Sequence, residues 1–372
     1  MQPRFILFGL HELNGIGWKT IQLIFQSTNA DGCFEMGLKK LLNADVNTLS
    51  KTFNLPRNKA KLISENLNLN FIQCRLELYK NTNISFLTIL DENYPALLKE
   101  IPNPPWVIYY KGNPELLDNT KLAIVGTRAP TTYGRIVTKK LADQLSNIGF
   151  CIVSGLAKGI DSISHKAAIE QSGSTIAVLG SGIDVVYPSE NKTLYNEITM
   201  KGLVVSEFPI GTQPHPGLFP QRNRIIAGLS LGTLVIEAAE KSGSLITADQ
   251  ALDMSRDVFA IPGPITSPKS QGTLSLIKQG AKMVTALKDI VEEYEHMFKI
   301  SYNEETFTAS KKPLSKDEQK IVQFISLEPV TFDQILHKSH FTFGHLHSVL
   351  LSLLMKNEII QLPGSKFVLK SS

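Results

Sequence analysis

The sequence predicts an α/β protein built on a doubly wound parallel sheet, with a small all-helical domain before it and a second small domain of three helices and a β-hairpin after it. Three observations point there. Between residues 83 and 298, eight short apolar runs alternate with amphipathic helical stretches. Those runs are apolar on both faces, as strands are when helices cover both sides of a parallel sheet. On either side of this region the strand-length runs give way to apolar residues three and four apart, the spacing of helices.

Residues 1–82 form the helical domain in this reading. "GWKTIQLIFQS", "DGCFEMGLKKLL" and "PRNKAKLISENLNLNFIQCRLELYK" each carry an apolar stripe, and Pro56 is placed to open the last of them. Within this domain "LNGIGWKT" sets Gly15 and Gly17 around Ile16 between two helical stretches. That hairpin resembles the helix-hairpin-helix turn, which offers backbone N–H groups to DNA phosphates; a glycine turn joining two helices also serves simply as a turn.

Residues 83–298 hold the candidate strands "ISFLTI", "PWVIYY", "KLAIVG", "FCIVSG", "STIAVLG", "GLVVSE", "TLVIEA" and "DVFAIPG". Residues 299–313, "KISYNEETFTASKKP", are polar and aperiodic and read as a linker. Residues 314–372 give helices near "KDEQKIVQFIS", "TFDQILHKS" and "FGHLHSVLLSLLMKNE", then two strands about a Pro-Gly turn, a winged-helix-like pattern. The third of these helices buries Leu346, Val349, Leu350, Leu353 and Leu354 and leaves His345, His347 and Ser348 outside, with no arginine to read a groove. A partner-binding or tethering role suits it at least as well as duplex recognition.

Composition narrows the function classes. A chain of 372 residues, 42% hydrophobic and 19% charged, has enough apolar material for two or three packed domains. Cys33, Cys74 and Cys151 lie far apart without CxxC or Cys/His spacing, which fits a reducing cytoplasm and neither a disulfide framework nor a zinc site. No apolar run approaches the roughly 20 residues that span a bilayer, and the N-terminal stretch lacks a basic leader pattern, so membrane insertion is not expected. Net charge is +4, unevenly spread: residues 1–80 hold ten Lys/Arg and six Asp/Glu, residues 81–310 hold 20 and 23, and residues 311–372 hold eight and five. A polyanion would therefore meet individually placed cations in the central region.

Those cations follow the strands, where open parallel sheets bind ligands. Arg128 comes directly after "KLAIVG". After "FCIVSG", the loop "LAKGIDSISH" supplies Lys158 and two glycines, Gly155 and Gly159, with backbone N–H groups at a helix start that suit an anion. Asp161 and His165, four apart, have the spacing of two metal ligands; lacking a further ligand cluster, they read as a cap and a packed ring. After "GLVVSE" a long loop leads to "QRNR", which carries Arg222 and Arg224 and places them in the first turn of the next helix. After "TLVIEA", Ser242, Gly243 and Ser244 supply hydroxyl and amide donors suited to a phosphodiester. Phe208, Phe219, Tyr133 and Tyr187 add aromatic faces. Glu207 and Glu237 also follow strands, but no nucleophile, metal cluster or Ser/His/Asp order accompanies them.

"VGTRAPTTYG", "SGLAKGIDSISH", "GSGIDVVYPSEN", "SEFPIGTQPHPGLFPQRNRIIAGLS", "VIEAAEKSGSLITADQAL" and "VFAIPGP", in that order, resemble the DNA processing protein A family, also called Smf. The resemblance spans about residues 83–285. It implies a Rossmann-like central domain, flanked by a helical SAM-like domain and a winged-helix-like one. It further implies a non-enzymatic activity with no cofactor: a cytoplasmic homodimer binds single-stranded DNA and loads RecA recombinase onto it against single-strand-binding protein, serving natural transformation. Carried onto this chain, the DNA-binding residues are Arg128, Lys158, Arg222, Asn223, Arg224, Ser242, Gly243 and Ser244. The two arginines in "QRNR" do not share a helix face, so one of them is expected on phosphate, Arg222 ahead of Arg224, and the other in an ion pair. Ser164, the triplet Ser255, Arg256 and Asp257, and Leu274 depart from the family pattern. The competing reading is a Rossmann-like nucleotide-processing enzyme of the phosphoribohydrolase type, with Glu207 or Glu237 as its carboxylate; the "PGGxGT" phosphate loop of such enzymes is missing.

Overall fold

Six helices open the chain: α1 (Pro3–Glu12), α2 (Trp18–Asn29), α3 (Phe34–Leu41), α4 (Val46–Thr52), α5 (Arg57–Asn66) and α6 (Leu69–Asn81). The computed structural model describes residues 1–29, 34–42, 44–171, 175–297, 314–325, 329–356, 358–362, 364 and 366–369. Pro3 stands in the first turn of α1, and Asp45 starts α4 by accepting from the amides of Asn47 and Thr48, N–H groups with no partner inside the helix. The long helix expected after Pro56 is two. The Asn68 side chain accepts from Phe71 N and starts α6 afresh, because a short amide side chain competes for backbone donors and favours a cap over a helix interior.

The sheet region follows with β1 (Ser85–Thr88), α7 (Ala96–Lys99), β2 (Val107–Gly112), β3 (Lys121–Val125), α8 (Thr132–Asn147), β4 (Cys151–Ser154), α9 (Ile160–Gln171), β5 (Thr175–Leu179), α10 (Lys192–Lys201) and β6 (Leu203–Ser206). It ends with α11 (Leu218–Leu229), β7 (Gly232–Val235), α12 (Gly243–Asp253), β8 (Asp257–Ala260), α13 (Gln271–Lys278), β9 (Lys282–Met283) and α14 (Lys288–Val291). Nine strands pair in the order β1-β2-β6-β5-β4-β3-β7-β8-β9. From β3 the chain winds outward to β6, then returns to place β7 on the other side of β3, so the winding direction reverses between β3 and β7. This is the doubly wound, Rossmann-like arrangement the alternation predicts. Every residue of β3 through β7 is buried.

Two features of the sheet depart from expectation. β1 pairs antiparallel with β2, and β2 pairs antiparallel with β6, so an antiparallel edge completes an otherwise parallel sheet. Apolar runs report burial and carry no strand direction. β9, two residues long, is too short to leave a pattern. At the helical side, Ile6, Phe8, Ile72 and Tyr79 share one core with Tyr109, Leu179 and Val204 of the strands. Met1–Glu295 accordingly forms one compact unit, and the expected division at residue 82 separates two layers over a common core.

The second unit is His296–Ser372. It contains α15 (Lys316–Val322), β10 (Val330–Thr331), α16 (Phe332–Ser339), α17 (Phe343–Met355), β11 (Ile359–Leu362) and β12 (Lys366–Leu369), with strands in the order β10-β12-β11. Capping boxes start α15 (Ser315 with Glu318) and α16 (Thr331 with Gln334). Leu346, Val349, Leu350 and Leu353 of α17 join Ile321, Ile335, Ile359 and Phe367 in its core, while His345, His347 and Ser348 are exposed. The expected linker, 299–313, lies outside the described residues, as does Cys33. Among the described residues, no helix is long and apolar enough to cross a membrane.

Candidate nucleic-acid interface

The loops leaving β3, β4 and β5 converge with α11 on a cavity of about 60 Å³ lined by Arg128, Gly155, Lys158, Gly180, Ser181, Tyr187, Phe219 and Arg222, among others. It lies beside the β3/β7 reversal, where such sheets leave room for ligands. Three of the predicted cations therefore meet. Arg128 is exposed and its guanidinium lies 5.8 Å from the centre of the Phe219 ring. Phe219 in turn lies 5.7 Å from the half-exposed Tyr187 ring. Lys158 is exposed and ion-paired with Glu190.

Arg222 is the unusual member. Only 5% exposed, it donates from Nη1 to Val178 O at 3.2 Å, and its buried Nε has no partner. Its guanidinium lies where a side chain on residue 155 would be: a Cβ on Gly155 would meet Nη1 at 1.4 Å. Burial, seconded by Arg128, pulls this arginine down to about 10, against the attraction of Asp161. It remains charged at neutral pH.

The rest of the predicted loop chemistry is turned inward. Asp161 Oδ2 accepts from Gly155 N at 3.2 Å and Ala157 N at 3.4 Å, and His165 Nε2 accepts from Leu156 N at 3.3 Å. Three amides of the β4–α9 loop are thus held by the protein's own side chains, which staple the loop to its helix, and Ile160 N, at the helix start expected to face an anion, donates to Thr127 O. His165 Nδ1 lies 2.7 Å from Thr175 Oγ1, and burial, with Arg222 adding repulsion, lowers this imidazole to about 3. His165 is the packed ring expected in place of a metal ligand, whereas Asp161 is not a cap: it lies inside α9 and accepts from loop amides ahead of the helix. No group of three or more His, Cys, Asp and Glu among the described residues could hold a metal ion. Gly159, at φ +80°, brings the loop against Thr127 O, which a Cβ would meet at 2.4 Å.

α11 begins at Leu218, so Arg222 and Arg224 stand in its second turn and not its first. Pro220 misleads the sequence reading, because a proline needs no hydrogen-bond donor in a first turn and sits there without breaking the helix. Arg224 faces away from the cavity: it pairs with the buried Glu207 and donates to Asn103 O. Burial raises Glu207, and Arg224 opposes it. Asn223 Nδ2 donates to Gly243 O at 3.3 Å, and Ser242 and Ser244 join their hydroxyls at 2.8 Å at the start of α12. These four residues adjoin Arg222 along the chain or through α12 but do not line the cavity. Glu237 accepts from Thr131 N and Thr131 Oγ1, fixing the cap of α8. Both carboxylates of the enzymatic reading are committed to arginine or threonine partners.

A family model described as DNA recombination-mediator protein A matches residues 85–295, more than half of the chain. The chain belongs to that family. A model of the DprA winged helix domain matches residues 305–365. Among similar proteins, Protein Smf of Synechocystis sp. is 38% identical over 82% of this chain and 85% of its own length. DNA processing protein DprA of Streptococcus pneumoniae is 49% identical over 56% of this chain and 73% of its own. The X-ray structure of DNA processing protein A from Streptococcus pneumoniae superposes with a TM-score of 0.68 at 36% identity, covering 78% of this chain and 97% of that one. A structure of DNA processing protein A from Helicobacter pylori, described as showing its single-stranded DNA binding mode, gives 0.53 at 32% identity, covering 58% and 97%.

All six family-like motifs fall within the region matched to the DNA recombination-mediator protein A family, and the residues that depart from its pattern do not line the cavity. Ser164 is buried and donates to Asp161 O; Arg256 pairs with Glu100; Asp257 accepts from Tyr294 Oη at 2.7 Å. Sequence reasoning missed the stapling of the loop by Asp161 and His165, and missed Glu190 as the partner of Lys158. The first folds a loop back on the helix that follows it and the second joins two loops 32 residues apart, and no periodicity marks either.

Proposed function

We propose that the chain binds single-stranded DNA at the ends of β3, β4 and β5 and acts as a recombination mediator, a binding activity with no catalytic step. The observation that carries this reading is the cavity itself. A volume of about 60 Å³, roughly four to six times what one ordered water needs, has room for a phosphate group. The buried charge of Arg222 lines its wall, and the exposed Arg128 and Lys158 stand at its mouth. Bases lying outside such a seat have Tyr187 and Phe219 for stacking, which is tolerant of sequence. Membership of a family described as recombination mediators, with relatives named as DNA processing proteins, supports mediation; the reading extends to loading of RecA onto incoming strands against single-strand-binding protein during natural transformation, by a homodimer in the cytoplasm.

The deciding experiment titrates single strand against duplex. Arg128→Glu reverses an exposed charge and should leave the thermal midpoint unchanged. Single-strand affinity should fall about 10- to 100-fold, the worth of one charge-assisted contact of about 1.5–3 kcal/mol. Wild-type affinity in that variant would overturn the cavity as the binding site. RecA filament formation on a strand precoated with single-strand-binding protein then tests mediation: no acceleration by the wild-type chain would refute it.

A further inference from the structure

We infer that a strand seated in the cavity runs over the start of α11 into a second, larger hollow, where the helical layer takes its phosphates. This rests on the single-strand reading above. The hollow, about 820 Å³ and open to solvent, is walled on one side by the α1–α2 turn and Lys59, and on the other by Asn103 and the first two turns of α11. Lys19, Lys59 and Arg224 line it, and no carboxylate does. Glu207 neutralises Arg224, so the charge left for a ligand is that of the two lysines. Lys59 Nζ donates to Gly15 O at 2.6 Å, which fixes the ammonium at the turn without neutralising it. Gly17 O accepts from Thr20 N and Ile21 N, so Gly17 is the N-cap of α2 and the unpaired first amides of that helix, with their partial positive charge, lie on this wall.

α11 joins the two sites. Phe219 and Arg222 line the cavity, whereas Pro220, Gln221 and Arg224 line the hollow. Successive helix residues point in directions about 100° apart, so one short segment presents the first two to the cavity and the other three to the hollow. With side chains a helix is about 10–12 Å across, a step that a few nucleotides of extended strand bridge. The ligand class follows from the lining: ammonium groups and amides suit phosphodiesters. The one large ring in the lining, Trp18, has its indole N–H committed to Pro104 O at 2.7 Å.

Two oligothymidylates separate the sites, one of about 4 nucleotides and one of about 16, the range that single folds cover. With Lys19→Glu/Lys59→Glu, binding of the short strand should match wild type. Affinity for the long strand should fall about tenfold or more, with a salt slope shallower by about 1.4, two phosphates at about 0.7 each. Gly17→Asp guards against a folding artefact: a Cβ there meets nothing within 4 Å, and aspartate is a favoured N-cap. This variant should fold as wild type does and still weaken long-strand binding. Wild-type dependence on strand length in both variants would overturn the hollow while leaving the cavity intact. Loss of short-strand binding in Arg128→Glu alone marks the cavity, so the two readings fail separately.

Discussion

Gly155 and Arg222 show what a single position does here. The absence of a side chain on one residue makes the space that the guanidinium of the other fills, and the amide of Gly155 is satisfied from the opposite direction by Asp161. The sequence identifies Arg222 and Arg224 as arginines two apart on a helix, which cannot share a face. The structure separates the two: Glu207, 17 residues back in the chain, holds Arg224, while Arg222 lines the cavity. His165 gives a test at this scale. Its imidazole is held near 3 in the folded chain against an ordinary 6.5, so between those values the unfolded chain carries a proton that the folded chain refuses. Stability should therefore fall as pH drops below 6.5, by about 1.4 kcal/mol per pH unit from this group, and be unaffected by it above. Urea melts of wild type and His165→Gln should differ in pH slope by about that amount. Equal slopes would show that the folded chain protonates the ring freely.

Among elements, strand and helix identities in the sheet region were legible because each central strand is an unbroken apolar run and each helix shows its period, and β9 was not because two residues show neither. The ends of elements were read less well. Pro220 looked like a boundary and lies inside α11, while Asn68 looked like helix interior and is a cap. How α1 and α6 attach to the sheet had no sequence signal. Glu12, at the end of α1, accepts from Arg75 and Tyr79 of α6 and from Tyr109 of β2, and Tyr79 Oη accepts from Ile210 N at 3.0 Å. One buried carboxylate thus ties two helices, a strand and the loop leading to α11. Glu12→Ala leaves an arginine and two hydroxyls without their acceptor and should cost about 3–5 kcal/mol in unfolding free energy. Arg75→Ala should cost less, since that side chain is 26% exposed. A loss below about 1 kcal/mol in Glu12→Ala, measured by urea unfolding, would mean that apolar packing alone holds the layer.

For the whole molecule, alternation of strand and helix was enough to anticipate the winding and the side of the sheet on which ligands gather. Nothing in an apolar run says that β1 and β2 lie antiparallel at the edge, or that the helical layer shares the sheet's core. Those are set by long-range packing, visible in Ile6 and Phe8 meeting Tyr109 and Val204. The uneven charge takes on a meaning in this frame. The basic N-terminal stretch folds beside the nearly balanced central region, so Lys19 and Lys59 supply to one face the cations that the sheet's own loops largely spend on Glu190 and Glu207.

The pairing of Lys158 with Glu190 changes how binding will look in solution. A phosphate that reaches Lys158 displaces a carboxylate of the same molecule, and the carboxylate set free takes up a cation from the buffer. The ion count from a salt titration will then fall about one short of the phosphates touched. Removing the resident anion with Glu190→Gln should steepen the slope of log affinity against log salt by about 0.7 and tighten binding at low salt. An unchanged slope would mean that Lys158 never leaves Glu190 for the strand. The crevice carries its own counterion, and a strand has to exchange with it.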